Sequence, residues 1–363
     1  MTTQTQGYTR DVPVKEKPKL NLKKEQTRTT NEFSDRIVEV RLGAKRGEGG
    51  TRAKTLVIGG EKQPACSDLH DLYLHSPVIA YDVYDMEVPL PAAVRMHVQD
   101  VIGDPAAMAK LAVDDFGADM VTVHLRTIDP SVKDTSPSDA VRTVEKVAQT
   151  VDAPLIISGC GNPKKDATVF SHIAEAFSGE RFLFDSVTTK MDIEGFAKVI
   201  KKNGHAVLAS ASTDLNSARK FNRRLYRFLP REDIVMNVTT EPLGHGLSYS
   251  FSQTRNIRLA GLTGDAELAH PICARPSNAW TAAEASLRMN REFEPNELRG
   301  PLWEIITGLT LMLVGADLFM MIHPAAVRTM KNIVAQALNV KCRPTIDSAS
   351  WVSSKIRTLR GPQ

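Results

Sequence analysis

The chain has four cysteines, Cys66, Cys160, Cys273 and Cys342, and no two are spaced C-x-x-C or set in a Cys/His cluster. A thiolate-held iron–sulfur cluster or a structural zinc site needs such a grouping, so neither is expected on this chain. Long hydrophobic runs are also scarce. Residues 1–35 contain none, so no secretory signal peptide is expected. The most apolar stretch, Ile305 to Met321, is interrupted by Gly308, Gly315 and Asp317 and is a little short for a membrane span. It reads as a buried helix followed by a buried strand, and a cytoplasmic protein with no membrane partner is expected. An excess of charge of one sign is nearly absent as well. The formal net charge is +4, and the basic excess sits mostly at the two ends of the chain. A near-neutral body lacks the basic face that phosphate binding demands, which argues against a nucleic-acid partner. G-x-G-x-x-G after the first strand, a phosphate loop and a nucleophile elbow are all missing.

What is present is a repeat. From Pro77 onward an apolar run, a polar turn and an amphipathic helix recur. The runs are 78–84, 120–125, 154–159, 181–185, 205–210, 233–237, 270–274 and 317–322. Apolar spacing marks helices over Ala106–Phe116, Asp139–Thr150, Ala167–Phe177, Asp192–Asn203, Asn216–Leu229, Ser252–Gly261 and Leu302–Val314. Gly117, Gly204 and Gly315 stand where three of these helices end. Eight strands alternating with helices predict a closed parallel (β/α)8 TIM barrel over residues 77–340. Ahead of it, RIVEVRLG and KTLVIGG, joined by a glycine-rich loop, predict a β-hairpin within 36–76 that covers one end of the barrel. Residues 1–35, rich in Lys, Thr, Gln and Glu, read as a disordered basic arm, and 341–363 as a C-terminal tail.

Ligands of such barrels sit at the C-terminal ends of the strands. Here those ends carry Asp85, Arg126, Asp129, Cys160, Asn162, Asp185, Ser186, Ser212 to Asp214, Asn237 to Glu241, Arg275 to Asn278, and His323. The mouth is dense in Asn, Asp, Ser and Thr, without a His₂-carboxylate metal set or a carboxylate pair. That composition suits holding a polar ring or a cofactor face better than hydrolysis. Asn162 and Asn237 can each donate and accept, as an amide-fringed ring requires. Thr239 and Thr240 either bond such a ring or cap the helix that follows. Ser212, Asp214, His245 and Gly246 complete the candidate cofactor-binding set with His323. The same residues have plain structural readings as turn formers and helix starts.

With the units in order, GCGNPKKD (159–166), ASTDLNSARKFN (211–222), the long block 233–265 and the block 302–327 resemble the small, delta-type subunit of the corrinoid iron–sulfur protein of the acetyl-CoA decarbonylase/synthase system. KTLVIGGE (54–61) is similar to that family's early segment, and the resemblance runs from about residue 36 to about 338. It implies a barrel related to pterin-binding methyltransferases, paired as a heterodimer with a large subunit that carries the iron–sulfur cluster and a cobamide-binding domain. The cobamide would be shared with the barrel mouth. Its cobalt would carry a methyl group from a methylated pterin, through a pterin methyltransferase, to acetyl-CoA synthase, both of them transient partners. The family usually has Asp at the end of the sixth strand, where this chain has Asn237, and commonly Tyr in place of His245. The alternatives are a stand-alone pterin-binding corrinoid methyltransferase, in which Asp85, Asp129 and Asp185 would hold the pterin, and a non-catalytic assembly protein.

Overall fold

The computed structural model describes residues 33–64, 73–211, 214–241, 246–287, 289 and 295–338. The arm as far as Glu32, the tail from residue 341, Ser212 and His245 lie outside the described residues.

Each of the eight apolar runs forms a strand. After the hairpin strands β1 (Val40–Leu42) and β2 (Leu56–Ile58) come β3 (Val78–Tyr84), β4 (Met120–His124), β5 (Leu155–Ser158) and β6 (Leu183–Thr188). Then follow β7 (Ala206–Ser210), β8 (Ile234–Asn237), β9 (Ile272–Ala274) and β10 (Leu318–Met321). β3 to β10 pair in parallel in sequence order, and β10 closes on β3. The helices are α1 (Ala92–Val98), α2 (Pro105–Asp114), α3 (Pro137–Thr150), α4 (Pro163–Ala176), α5 (Ile193–Lys202), α6 (Leu215–Leu225), α7 (Gly246–Leu262), α8 (Asn296–Met312) and α9 (Pro324–Ala337).

Local chemistry sets where the helices begin. α2, α3, α4 and α9 open on a capping residue followed by proline: Asp104-Pro105, Ser136-Pro137, Asn162-Pro163 and His323-Pro324. The cap side chain accepts from an unpaired first-turn N–H, and proline at the first position has no N–H to leave unpaired. Ser136 and Asp139 form a reciprocal capping box. Gly117, Gly204 and Gly315 have φ of 77°, 72° and 100°, which stops the helices before β4, β7 and β10.

Side chains alternate between two cores. Ile79, Tyr81 and Val83 of β3 face the helices, while Val78 and Ala80 face the barrel axis. The axial core at the N-terminal ends of the strands is closed by the hairpin, whose Val40, Leu42 and Ile58 pack on Ala80, Met120, Leu183 and Leu318. Each such buried aliphatic contributes roughly 1.5–3 kcal/mol.

A buried ionic clamp fastens the hairpin. Arg258 of α7 donates to Glu61, just beyond β2, at 3.2 Å, to Asp317 at 2.5 Å and to the Gly315 carbonyl. Asp317 also accepts from the Ile272 N–H at 2.6 Å. Any side chain at residue 315 would run into Arg258, so glycine is needed there for space as well as for its φ. Two carboxylates share one guanidinium, so charge cannot balance if both ionise. Burial and the neighbouring Asp317 push Glu61 up to about 8. A second clamp, Arg52 to Glu180 at 2.9 Å and to the carbonyls of Val151 and Ala148, ties the segment before β2 to the end of α3.

Candidate functional site

Axial positions change character partway up the barrel. Val78 and Ala80 give way to Asp82 and Tyr84, Met120 to Thr122 and His124, Ile156 to Ser158, Leu183 to Asp185, Leu208 to Ser210, and Val235 to Asn237. Strand register places these polar residues in one layer. Tyr84 is level with His124, His124 with Ser158, Ser158 with Asp185, and Ser210 with Asn237. Sequence reasoning named Asp185 and Asn237 at strand ends but missed Asp82, Tyr84, His124, Ser158 and Ser210 inside the strands. The period-two switch from apolar to polar along each run is the signal that finds them.

Arg275, just past β9, organises one side of this layer. Its guanidinium pairs with Asp185, donates to Ser186 Oγ at 3.1 Å and reaches Asn237 Oδ1 at 3.4 Å. Asn237 donates in turn to Ser210 Oγ at 2.8 Å, and Ser158 Oγ donates to Asp185 at 2.8 Å. Burial alone would raise Asp185. The Arg275 charge and the Ser186 and Ser158 hydroxyls outweigh it and hold the carboxyl below the usual carboxylate range. A 110 Å³ cavity opens beside this pair, bordered by Ser158, Gly161, Asp166, Thr188 and Arg275.

On the opposite side, Asp82 Oδ1 lies 3.0 Å from His124 Nε2, and the Tyr84 ring stacks on the imidazole at 4.8 Å. Among the described residues, neither atom of the Asp82–His124 approach makes a well-aligned hydrogen bond, and the nearby Thr122 Oγ1 also finds no partner. These are buried polar atoms with capacity left for a guest or for water.

The carboxylates that a pterin site would use are engaged in their own loops. Asp85 accepts from the Arg126 N–H at 2.8 Å, from the Thr127 N–H at 3.1 Å and from the Thr127 hydroxyl. Asp129 accepts from the N–H and hydroxyl of Ser131 at 2.8 and 2.7 Å.

The predicted site residues divide into groups. Asp214, Asn237 and Thr239 border one small cavity of 20 Å³ between β7, β8 and α6, room for a single water. Asp214 also caps α6 through the Ser217 N–H at 2.9 Å. Thr240 is buried and positions the chain, accepting from the Arg275 N–H at 3.0 Å and donating to the Val238 carbonyl at 3.3 Å. Asn162 caps α4, accepting from the N–H groups of Lys164 and Lys165 at 3.2 Å each. Gly246, with φ of 75°, opens α7. His323 is buried and caps α9 by accepting from the Ala325 N–H at 3.2 Å. Burial, with a charge on nearby His97, drives the His323 imidazole down to about 3.

A further buried acid was not singled out from the sequence. Glu304 of α8 accepts from the Trp280 indole N–H at 2.8 Å and from the Ile322 N–H at 2.7 Å. Its complete burial pushes it up to about 8 against these hydrogen bonds. Trp280 reaches it by packing on Gly300, where any side chain would collide with the indole. The same indole stacks on the His323 ring at 5.7 Å.

Residues 39–292 match the family described as CO dehydrogenase/acetyl-CoA synthase delta subunit. The acetyl-CoA decarbonylase/synthase complex subunit delta of Archaeoglobus fulgidus is 42% identical over 332 residues, covering 90% of this chain and 74% of that protein. Its counterpart in Methanosarcina mazei is 39% identical over 333 residues, covering 90% and 76%. Among solved structures, dihydropteroate synthase of Xanthomonas albilineans, in complex with indole-2-carboxylic acid and 6-chloroguanine, has a TM-score of 0.50 at 15% identity, covering 75% of this chain and 96% of that one. The Thermus thermophilus enzyme has a TM-score of 0.50 at 14% identity, covering 81% and 98%. At such identity the likeness concerns the barrel fold alone.

Proposed function

The chain belongs to the CO dehydrogenase/acetyl-CoA synthase delta-subunit family, and from that premise we propose that it is the small subunit of a heterodimeric corrinoid iron–sulfur protein. In this reading a large subunit holds the cobamide and the iron–sulfur cluster. The barrel mouth covers the exposed face of the cobamide between visits from the pterin methyltransferase and from acetyl-CoA synthase. The cobamide would supply the cobalt that carries the methyl group.

One observation carries this reading beyond family membership. The Arg275 charge in the mouth is cancelled within the chain by Asp185, while neutral donors and acceptors surround the pair. The edge of a cobamide is fringed with uncharged amides that both donate and accept, so the donor set fits it. Asn237 and Thr239, with Asp214 behind them, would meet that edge. Ser212 and His245 belong to the same proposed set. Asn162, Thr240 and His323 would act by holding the loops and helix starts around it. The pterin-methyltransferase reading is less favoured, because Asp85 and Asp129 already serve their own loops and Asp185 is matched by Arg275.

What this chain would contribute is water exclusion and a fixed polar rim, both of which protect a reactive centre. The test mixes the purified chain with the purified large subunit. A one-to-one complex that slows air oxidation of the reduced cobamide is expected. Multiple turnovers of methyl transfer from a methylated pterin to free cobalamin by the chain alone would overturn the reading.

A further inference from the structure

Glu61 and Asp317 meet at the base of the barrel, where the hairpin stopper touches the start of β10. Each carboxyl group gives one oxygen to Arg258. Glu61 Oε2 accepts from Nη1 at 3.2 Å, and Asp317 Oδ2 accepts from Nη2 at 2.5 Å. The other two oxygens, Glu61 Oε1 and Asp317 Oδ1, are buried, and among the described residues neither finds a donor. Yet the two carboxyl groups lie within hydrogen-bond reach of each other. The side chains of Arg258, Glu61 and Asp317 are only 2%, 5% and 2% exposed. With both acids ionised, the cluster would bury two negative charges against one positive, and two acceptors would face each other with nothing between them. A single proton between Oε1 and Oδ1 removes both problems. The surrounding groups do not supply a donor in its place. Tyr73, ahead of β3, commits its hydroxyl to the carbonyls of Met312 and Ala316 at 2.5 and 2.9 Å. The Ile272 N–H is taken by Asp317 Oδ2. Arg36 and His75 turn to Glu39, His270 to Tyr226 and the Ile234 carbonyl, and Lys54 and Lys331 to Asp119.

We propose that Glu61 and Asp317 share one proton, and that this proton is a latch holding the hairpin on the barrel base. Asp317 is the fixed side, since it accepts from the Ile272 N–H at 2.6 Å and leads directly into β10. Glu61 is the movable side. It follows β2 across Gly59 and Gly60, whose φ values of 86° and 91° mark a joint that can absorb backbone rotation. When the proton leaves, one of the two carboxylates must reach water, and Glu61 reaches it by lifting residues 59–61. That movement draws Ile58 out of the axial core and carries β1 with it through the Val40–Ile58 and Leu42–Leu56 pairing. Burial and Asp317 raise the Glu61 acid to about 8, whereas in the lifted form it would return towards its ordinary 4.5. The closed form thus keeps a proton that the lifted form releases, so raising pH favours lifting. Between those two values each pH unit multiplies the opening constant by about ten, and above 8 the increase stops.

The experiment follows amide exchange of the full chain across the pH range on either side of this value, with each rate divided by its intrinsic rate at that pH. In the wild-type chain, protection of residues 56–61 should fall about tenfold per unit from pH 6 to 7.5 and level off beyond 8. At pH 8 these residues should exchange at least about tenfold faster than β5, which marks a local release rather than unfolding of the barrel. Glu61→Gln should abolish the pH dependence, because its amide donates to Asp317 Oδ1 in place of the proton. Asp317→Asn should do the same from the other side, so the test survives the loss of either variant. The infrared difference between wild type and Glu61→Gln at neutral pH should contain the carbonyl stretch of a protonated carboxylic acid, a signal that does not depend on exchange. Hairpin protection that is indifferent to pH in the wild-type chain overturns the inference. So does a pH dependence retained in both variants, which would assign the titration to another group. Release of the hairpin and β5 together, at equal protection, would make the transition global unfolding and overturns the latch as well.

Discussion

Arg275, beyond the end of β9, spans the barrel mouth to form an ion pair with Asp185 in β6, and Asn237 of β8 is held by the same guanidinium. Asp185 is buried, so removing its partner strands a charge in low dielectric. Arg275→Met is expected to destabilise the fold by about 3 kcal/mol. Arg275→Met with Asp185→Asn should recover most of that loss. Urea denaturation of the single and double variants measures it, and a double variant no better than the single one would refute the stranded-charge account.

Asn237 is linked to the mouth by neutral or long hydrogen bonds only. Asn237→Ala should cost about 1 kcal/mol of stability, a small change in melting temperature. The same variant should retain less cobamide when the complex is passed through gel filtration, read from the corrinoid absorbance. A large drop in melting temperature with normal retention would make Asn237 a purely structural residue.

At the base, Arg258 holds Glu61 and Asp317 together in a fully buried setting. Arg258→Met leaves two carboxylates facing each other, and a loss of about 3–5 kcal/mol is expected. Hydrogen exchange should show the first effect in residues 40–61, since the hairpin loses its ionic anchor. Uniform acceleration across the whole barrel would contradict this localisation.

Stability should fall as pH rises from about 6.5 to 8. Glu304 and Glu61 are pushed up to about 8 in the folded chain, from an ordinary value of 4.5. Over that interval the folded state therefore holds protons that the unfolded state has already released, and raising pH favours unfolding. Below 6.5 the trend is opposed by His205 and His270, both lowered to about 4 by burial, which charge only on unfolding. Glu304→Gln should remove about 1–2 kcal/mol of the loss between pH 6.5 and 8. Thermal melts at both pH values for wild type and variant supply the comparison, and an identical pH dependence in the two would count against Glu304.

The barrel was legible because its strands are short apolar runs punctuated by helix-ending glycines such as Gly204 and Gly315, a local signal that tertiary packing reinforces. His323-Pro324 reads both as part of the mouth and as a helix start, and its cap-and-proline chemistry opens α9. α1 is short and enters through Pro91 without a side-chain cap, so nothing local announces it. The polar layer was only half legible. Strands of a parallel barrel are buried on both faces, so Asp82 and His124 sit within hydrophobic runs and look like interruptions rather than a site. Only the register between neighbouring strands reveals that they are level with Ser158 and Asp185. The placement of Trp280 over Gly300 and Glu304 was not legible at all, since it depends on two segments meeting in space.

The hairpin stopper at the base has a kinetic corollary. With Val40, Leu42 and Ile58 lodged among the strand starts, the barrel is a blind socket with a single doorway. Whatever enters must leave by the same route, so the passage of one guest is a queue rather than a flow. In the proposed reading, the pterin methyltransferase and acetyl-CoA synthase would both need that doorway and could not be served together. An excess of either should slow the other competitively, and exchange between them should be paced by departure.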